Sequence, residues 1–374
     1  MCLGKNEVSR GCNRKLPPAP LREGGEGFIL LSQIFVSRHF YRKSVLSVAL
    51  YPFSLIYLFF IVLRRYIYTI IPKIAFKSKI KIISIGNLTT GGTGKTPFTI
   101  CLARNLIKQG KKIAIVLRGY KSNYEKDNII LYSDNNSEYH GDESSLYLRQ
   151  LPDIPIGIGK NRVQSIKLLE EAHPDLDYII MDDGFQHLRV YQDVKICLFN
   201  SVSPIGNGFC LPAGILREPL HCVKYSDMIL ISGNTKNIPE SFLTELSKFD
   251  KDIFYGDYEI SFIKDLSGNI FSGNFHNKQV MLLSGIGTPS SFENTISKAK
   301  IEYHNHMALP DHFNYTQAFI DSNFESLSKY DYILTTEKDY TKLSQLKINL
   351  PILVVYVEYK IPELVFNNFV NRDD

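Results

Sequence analysis

The sequence contains few cysteines, and no two of them form a C-x-x-C pair. They are Cys2, Cys12, Cys101, Cys197, Cys210 and Cys222. Disulfide frameworks and sulfur-ligated zinc sites need closely patterned cysteines, so this scatter indicates reduced thiols in a cytosolic compartment. The sequence therefore argues against metal binding through sulfur.

A large excess of charge of either sign is also missing. The chain has 43 lysines and arginines against 38 aspartates and glutamates, a formal net charge of +5. This small excess argues against a nucleic-acid partner bound across the whole surface. The sequence also lacks internal repeats and low-complexity tracts. Its 374 residues are 44% apolar, which is enough for a folded protein with two domains.

Long apolar runs are rare, with one exception near the N-terminus. Residues 1–36 mix prolines, glycines and scattered charge, and we interpret them as a loose extension that carries no chemistry. From Val45 to Leu63 the chain is nearly uncharged, and these nineteen residues approach the roughly 20 that cross a bilayer as a helix. Cations bracket this run at Arg42, Lys43, Arg64, Arg65 and Lys73. We predict a membrane-associated apolar helix within residues 37–76.

The orientation of this helix is left open by the sequence. Tyrosines near both ends and a mid-segment Pro52 fit a helix lying in the membrane surface as well as one crossing the membrane. A buried helix of a soluble domain is the alternative, but such a helix usually has a polar face, and this run has only scattered serines and tyrosines. The late start of the run and the following Arg64-Arg65 argue against a cleaved signal peptide.

After Lys79 the pattern becomes that of an α/β protein, in which short apolar runs alternate with helix-length segments. The first set of runs covers residues 80–85, 112–117, 178–181 and 194–199. This pattern predicts a P-loop NTPase-like parallel sheet with helices on both faces over residues 77–250. A second set covers residues 279–283, 332–334 and 352–356. It predicts a smaller C-terminal α/β domain over residues 251–374.

The strongest local signal is a P-loop. The sequence I-I-S-I-G-N-L-T-T-G-G-T-G-K-T (82–96) runs from an apolar strand into a glycine-rich turn that ends in Gly94-Lys95-Thr96. Such a loop turns its N–H groups toward a phosphate, its lysine reaches the β- and γ-phosphates, and its threonine hydroxyl holds Mg²⁺. We expect ATP and Mg²⁺ as cofactors. The expected cofactor-binding residues are Thr89, Thr90, Gly91, Gly92, Thr93, Gly94, Lys95 and Thr96.

An acidic partner for the metal follows downstream. The apolar strand Tyr178–Met181 ends in Asp182 and Asp183, as in a Walker B element. At the carboxyl end of a parallel strand beside the loop, one carboxylate would contact the Mg²⁺ held by Thr96 and the other would orient water or a hydroxyl. The sequence does not decide which aspartate takes which role.

A second class of P-loop protein fits part of this pattern. Membrane-bound switch ATPases bind partner proteins and dimerise through an extra lysine in a K-G-G-x-G-K-T loop. The corresponding position here is Thr90. Because the cross-subunit phosphate contact depends on that lysine, we rank this binding-module interpretation second.

Taken together, the motifs resemble those of the tetraacyldisaccharide 4'-kinases of lipid A biosynthesis, from about residue 38 to the C-terminus. They are G-N-L-T-T-G-G-T-G-K-T-P (86–97), L-R-G-Y (117–120), G-D-E (141–143), D-D-G-F-Q-H (182–187), G-N-G-F-C-L-P-A-G-I-L-R-E-P (206–219), S-G-I-G-T-P (284–289), P-D-H (310–312) and T-E-K-D (336–339). In that family a hydroxyl residue is common at the position of Thr89, where the general P-loop pattern has glycine.

The resemblance implies transfer of the ATP γ-phosphoryl group to the 4' hydroxyl of a tetraacylated glucosamine disaccharide. It also implies a location at the cytoplasmic face of the bacterial inner membrane, as a peripheral or single-pass protein. The expected partners are the acylated disaccharide substrate and the inner-membrane lipid surface, to which an apolar helix with flanking cations is suited. No obligate protein partner is predicted.

The resemblance also implies roles for individual residues. Asp142 of G-D-E is the expected catalytic base, His312 of P-D-H would hold or relay the proton beside it, and Lys95 would neutralise charge. Glu143 joins Thr96, Asp182 and Asp183 as an expected metal ligand. Arg118, Tyr120 and Gln186 are the expected substrate contacts, because guanidinium groups bind oxyanions and tyrosine rings stack on sugars.

Weaker expectations concern three further groups of residues. His187 is assigned to nucleotide or substrate, although turn hydrogen bonds explain it equally well. Arg217 and Glu218 are expected to shape the acceptor side. The run Glu337-Lys338-Asp339 is expected to form a salt-bridged turn between the domains.

Overall fold

The computed structural model describes residues 40–119, 127–132, 142–311 and 313–361, with the side chains of Asp142 and Glu143 left out. The predicted extension over residues 1–36 lies outside the described residues. Within them, twelve strands form one sheet in the order β10-β9-β11-β12-β8-β7-β6-β1-β5-β2-β4-β3. Most neighbouring pairs are parallel, and β3–β4 and β8–β12 are antiparallel.

The strands and helices follow one another in α/β order. The strands are β1 (Lys81–Asn87), β2 (Ile113–Leu117), β3 (Ile129–Leu131), β4 (Ile156–Ile158), β5 (Tyr178–Asp182), β6 (Val194–Asn200), β7 (Met228–Ser232), β8 (Asp252–Asp265), β9 (Val280–Ser284), β10 (Asn305–Ala308), β11 (Tyr332–Thr336) and β12 (Ile352–Lys360). The helices are α1 (Val45–Ile70), α2 (Lys95–Lys108), α3 (Asp142–Gln150), α4 (Arg162–Ala172), α5 (Glu240–Ser247), α6 (Pro289–Lys298), α7 (Gln317–Leu327) and α8 (Glu337–Leu343).

The central strands are buried on both faces. All five residues of β2 and of β5 are buried, as are all residues of β1 after Lys81. Strands covered by helices on both sides read as continuous apolar runs, and this explains why the sequence pattern located them to within a residue or two. The predicted fold class is confirmed.

Pairing around β1 brings the two nucleotide motifs together. Strands β1 and β5 are parallel neighbours, with Ile85 opposite Asp182. The carboxyl ends of parallel neighbours meet at one edge of the sheet, so the glycine-rich loop that follows β1 lies beside the aspartates that end β5.

Strand β8 connects the two halves of the sheet. Its first five residues pair in parallel with β7, and the stretch from Asp257 to Asp265 pairs antiparallel with β12. The predicted boundary between residues 250 and 251 immediately precedes this strand, and the sheet continues across it. The division into two domains stays a prediction, and it is supported by two apolar clusters that belong to the C-terminal half.

Helix α1 has the reverse of the usual burial pattern. Its only fully buried residues are Ser47, Ser54 and Arg65, while large apolar side chains such as Phe59 and Phe60 are 63% and 62% exposed. Residues seven and eleven apart lie on one side of a helix, so the polar residues form a narrow stripe against the protein. This helix is long enough and apolar enough to cross a membrane, judged by its length and composition alone.

One sequence interpretation of this region is wrong. The predicted flanking cation Arg65 does not lie outside the helix, because α1 continues to Ile70 and Arg65 lies inside it, only 5% exposed. The arginine faces the body of the protein because Glu218 provides a buried carboxylate opposite it.

Candidate active site

The glycine-rich loop joins β1 to α2. Helix α2 begins at Lys95, and its N-cap Gly94 has a φ of +82°. Gly91 has a φ of +102°. Residues with a Cβ rarely adopt this left-handed conformation, so glycine is needed at both positions. The loop therefore turns from strand into helix over a few residues, and the positive N-terminal end of α2 faces the carboxyl edge of the sheet.

The segment that precedes Pro219 lies along this loop. Thr90 donates its N–H to the Ile215 carbonyl at 2.8 Å, and Arg217 donates its N–H to the Leu88 carbonyl at 2.7 Å. These backbone hydrogen bonds join the segment around Ile215 and Arg217 to the P-loop, although the two are distant in sequence. They place the Arg217 side chain at the mouth of the P-loop.

Lys95, Asp183 and Arg217 form a compact charged cluster. The Arg217 Nη1 donates to Asp183 Oδ1 and Oδ2 at 3.0 and 2.9 Å, and Lys95 Nζ lies 3.4 Å from Asp183 Oδ1. Lys95 also donates to Asn87 Oδ1 at 3.2 Å. Burial raises the pKa of Asp183, but the positive charges of Lys95 and Arg217 lower it by a larger amount. The pKa of Asp183 therefore lies well below the usual range. Asp183 is therefore ionised at neutral pH.

The backbone at Asp183 is strained. Its φ is +50°, in the left-handed region that non-glycine residues adopt at a cost of about 1–2 kcal/mol. The turn that follows packs closely on β1, because a Cβ added at Gly86 would lie 2.5 Å from Phe185 Cβ. Strained backbone that the surrounding structure holds in place is common at functional sites.

Asp182 has a different environment from its neighbour. Its side chain is buried and accepts hydrogen bonds from the Tyr147 hydroxyl at 2.7 Å and from the Asp183 N–H at 2.8 Å. Desolvation raises the pKa of Asp182, and Lys95 and Tyr147 oppose this rise. Of the two aspartates, Asp183 therefore has the exposed carboxylate at the mouth of the loop.

Tyr147 fixes helix α3 beside this pair. The helix begins at Asp142 and crosses the carboxyl end of β5, where its tyrosine binds Asp182. Asp142 and Glu143 thus form the first turn of a helix anchored at the candidate site, although their side chains lie outside the described residues. Tyr120 and His312 also lie outside them.

The turn after the aspartates presents polar atoms without partners. Gln186 donates its Nε2 to the Asn87 carbonyl at 2.8 Å, but within the described part of the chain its Oε1 and the His187 Nε2 are buried and lack a hydrogen-bond partner. Burial, and the positive charges of Arg162, Arg64, Arg189 and Arg118, lower the pKa of His187 to about 4. His187 is therefore neutral at pH 7, in a region of positive potential.

The C-terminal half contacts the P-loop directly. Thr288, in the S-G-I-G-T-P motif, donates its hydroxyl to the Gly92 carbonyl at 3.2 Å. Lys338 pairs with Asp311 at 2.9 Å, next to the position of His312. The candidate site therefore lies between the two halves of the sheet.

The predicted turn at Glu337-Lys338-Asp339 is the start of α8. Its Lys338 forms the ion pair with Asp311 inside the C-terminal half, and its Glu337 connects the two halves by a hydrogen bond. Gln150, the last residue of α3, donates its Nε2 to Glu337 Oε1 at 2.5 Å, and burial raises the pKa of Glu337 to about 7. Asp339 is buried and accepts the N–H of Gly285 at 3.1 Å, which holds the loop that carries Thr288.

Sequence reasoning missed four residues of this region: Asn87, Tyr147, Arg65 and Tyr258. Asn87 lies within the quoted P-loop motif, so its position was a usable signal. The other three come from elements that only the fold brings to the site. Tyr258, in β8, is so close to the P-loop that a Cβ added at Gly94 would collide with its hydroxyl oxygen.

The sequence profile of the family described as tetraacyldisaccharide-1-P 4'-kinase matches residues 46–372. The chain belongs to this family. The tetraacyldisaccharide 4'-kinase of Francisella tularensis subsp. novicida (strain U112) is 34% identical over 304 residues, which cover 80% of this chain and 91% of the relative. That of Francisella philomiragia subsp. philomiragia is 34% identical over 271 residues, which cover 71% and 82%.

A solved structure agrees with this assignment. The crystal structure of the "apo" form of LpxK from Aquifex aeolicus in complex with ATP has a TM-score of 0.67 and 26% sequence identity, and the match covers 88% of this chain and 99% of that chain. The resemblance inferred from the motifs is thus confirmed, and membership of the tetraacyldisaccharide 4'-kinase family does not favour the switch-ATPase alternative.

Proposed function

We propose that the protein transfers the γ-phosphoryl group of ATP to the 4' hydroxyl of a tetraacylated glucosamine disaccharide. The observation that carries this proposal is the cluster of Lys95, Asp183 and Arg217 at the mouth of the P-loop in a member of a 4'-kinase family. Phosphoryl transfer depends mainly on positioning and on neutralising charge, and this cluster is built for both.

The nucleotide would bind along the loop from Thr89 to Thr96, with Lys95 at the β- and γ-phosphates. Its base is proposed to lie over a small polar cleft at the carboxyl ends of β6 and β7, on the P-loop side of β8, because the cleft itself is too small to enclose a base. This cleft is lined in part by Asn200, Ser201, Ser232, Asn234, Tyr258 and Asn294. A ligand at the carboxyl edge of a parallel sheet, beside the strand that enters the P-loop, is the usual arrangement in such folds.

The residues present fit a Mg²⁺ ion that accompanies the nucleotide. Thr96 and the carboxylate of Asp183 are the oxygen ligands magnesium prefers, with Asp182 and Glu143 as further candidates. Magnesium is commonly held by one or two carboxylates together with substrate phosphates. Bound there, magnesium would neutralise charge on the transferred phosphoryl group.

Asp142 is the proposed general base. Helix α3 is anchored at Asp182 through Tyr147, and Asp142 is its first residue. A carboxylate at this point would accept the proton of the 4' hydroxyl as the oxygen attacks the γ-phosphorus and the bond to ADP breaks. His312, next to Asp311, is proposed to assist the base.

The acceptor is proposed to lie against the turn that contains Gln186, with Arg118 and Tyr120 beside it. The family's name includes a 1-phosphate on the disaccharide. The positive charges of four arginines that lower the pKa of His187 suit such an anionic head group.

The test is phosphorylation of a lipid by the detergent-solubilised, purified chain. Wild type, with Mg²⁺, γ-labelled ATP and a tetraacylated glucosamine disaccharide 1-phosphate, is expected to produce labelled lipid. Asp142→Ala is expected to lower kcat about 10²–10⁴-fold, the usual contribution of a general base, without weakening ATP binding. Labelled lipid at the wild-type rate from Asp142→Ala would remove the base assignment, and hydrolysis of ATP without labelled lipid from wild type would remove the function.

Helix α1 is proposed to lie in the membrane surface rather than to cross the bilayer. Ser54 Oγ donates to the Cys210 carbonyl at 2.8 Å, and the Tyr57 hydroxyl donates to the Arg217 carbonyl at 2.8 Å. Together with Arg65, these contacts hold about 17 Å of the helix, at 1.5 Å per residue, against the protein. A crossing helix would lose them. The apolar side faces outward, as an interfacial anchor requires.

Removing apolar side chains from this face is expected to reduce membrane binding. The double variant Phe59→Ser/Phe60→Ser should bind anionic phospholipid vesicles at least about tenfold more weakly in co-sedimentation, because each buried aromatic contributes about 1.5–3 kcal/mol. Phe324→Ser is the matched control, since Phe324 is 43% exposed on α7. Equal binding of both variants and wild type would refute the proposed anchor.

A further inference from the structure

Arg65 is a buried cation on an otherwise apolar helix. Its Nε donates to Glu218 Oε1 at 3.1 Å and its Nη2 to Glu218 Oε2 at 2.5 Å, a two-point contact between side chains that are 6% and 1% exposed. Its guanidinium group also lies 5.0 Å from the centroid of the Phe185 ring and 4.8 Å from that of Tyr225. Removing two charges from water costs several kcal/mol per ion, so a buried pair of this kind is weak evidence for stability alone.

The contacts of Arg65 join two loops. One is the segment that ends in Arg217 and Glu218, and the other is the turn after β5, whose Phe185 carbonyl accepts a hydrogen bond from Arg65 Nη2 at 3.3 Å. These are the loops that provide Arg217 and Asp183, the ion pair beside Lys95. Glu218 adjoins Arg217 in sequence, and Phe185 follows Asp183 by two residues. A single guanidinium group thus contacts both loops that carry the members of this pair, through Glu218 on one loop and Phe185 on the other.

We infer that Arg65 is a positioning residue for phosphoryl transfer, which acts by fixing the distance between Asp183 and Arg217 at the mouth of the P-loop. A guanidinium group suits this task because its donors form a rigid planar fork, which a lysine cannot replace. Since Arg65 belongs to α1, the seating of the apolar helix and the geometry of the charged cluster are coupled. The inference rests on the proposed kinase function. It gives α1 a second role, the positioning of charged groups at the P-loop, in addition to membrane binding.

The test separates positioning from stability. Truncating one partner would leave a buried unpaired charge and destabilise the fold, so both are replaced in Arg65→Met/Glu218→Leu, which keeps volume and removes both charges. Ser54→Ala is the matched control, because Ser54 is also a buried polar residue that seats α1, but its partners are Cys210 and Ala213. Each protein is measured for thermal unfolding, vesicle binding, kcat and KM for the lipid, and the dissociation constant of MgATP.

We expect the double variant to unfold within a few degrees of wild type, to bind vesicles equally and to keep its KM for the lipid. Its kcat should fall between about 10- and 10²-fold, as expected when a charged cluster shifts by a fraction of an ångström to an ångström. Ser54→Ala should keep the wild-type kcat. A double variant with wild-type stability and wild-type kcat would overturn the inference, because the pair would then be structural only.

The MgATP measurement keeps the inference separate from the proposed function. If wild type labels no lipid, the kinase proposal fails, and Arg65 is then judged by nucleotide binding. A MgATP affinity lowered about fivefold or more in the double variant, but not in Ser54→Ala, would still support the positioning role of Arg65. Asp183 and Lys95 are expected to contact bound MgATP whether or not a lipid is phosphorylated. If wild type labels no lipid and the double variant binds MgATP as tightly as wild type, the inference about Arg65 is overturned.

Discussion

Replacement of Lys95 by methionine is expected to lower kcat for lipid phosphorylation by about 10³-fold, close to the loss seen when a preorganised charge is removed from a transition state. Lys95 Nζ lies 3.4 Å from Asp183 Oδ1 and is held by Asn87, so it is fixed before substrate arrives. A methionine keeps an unbranched side chain as far as Cε, with sulfur in place of Cδ, and lacks the ammonium group. Steady-state kinetics with labelled ATP and saturating lipid measure the effect.

The matched control for this prediction is Lys108→Met. Lys108 is the last residue of the same helix, α2, and is exposed. Its replacement changes net charge by the same amount and should leave kcat within about twofold, as for most surface substitutions. If Lys95→Met retained more than a tenth of the wild-type kcat, Lys95 would have no major part in charge neutralisation.

The second large effect is expected from Gly94→Ala. An added Cβ at Gly94 would collide with the Tyr258 hydroxyl oxygen and lie 3.1 Å from Ser232 Oγ. The φ of +82° adds a strain of about 1–2 kcal/mol. The Tyr258 ring packs edge-on against the buried Tyr359, so we expect the loop at the N-cap of α2 to move away from it, and the phosphate-binding N–H groups move with the loop. We expect MgATP binding, measured by titration calorimetry, to weaken at least about 10²-fold.

Gly110→Ala separates backbone strain from collision. Gly110 has a similar φ of +78°, lies beyond the other end of α2, and has open space where a Cβ would be added. This variant should lose about 1–2 kcal/mol of stability and keep its MgATP affinity. The double variant Gly94→Ala/Tyr258→Phe removes the colliding oxygen and should recover part of the lost affinity. An unaltered affinity in Gly94→Ala alone would show that the loop tolerates this displacement.

The two aspartates after β5 show where sequence reasoning stopped. Both positions were assigned to the metal without distinction, because their order along the chain is all that the sequence provides. In the structure, Asp182 is buried against Tyr147, whereas Asp183 faces Lys95 and Arg217. Tyr147 and Arg217 come from segments 35 residues before and 34 residues after these aspartates, so only the fold could separate the two roles.

The apolar helix shows the same limit. Composition predicted a membrane-associated segment, and helix α1 forms where it was expected. The sequence left its orientation open, because a stripe of Ser47, Ser54 and Arg65 is too sparse to recognise as a polar face. Only the hydrogen-bond partners of these residues, among them the Cys210 carbonyl and the Glu218 carboxylate, show that this side of the helix packs against the protein.

By itself, the sequence determined the fold class, the P-loop, the strand that ends in two aspartates and the family. These features are local: an apolar run buried on both faces, or glycines required by a turn, is specified within about fifteen residues. The tertiary structure alone decided the pairing of Asp183 with Arg217, the contact of Thr288 with Gly92 and the burial of Arg65. Each of these joins residues more than thirty positions apart, and such contacts depend on how strands are ordered and loops are packed, which no short pattern encodes.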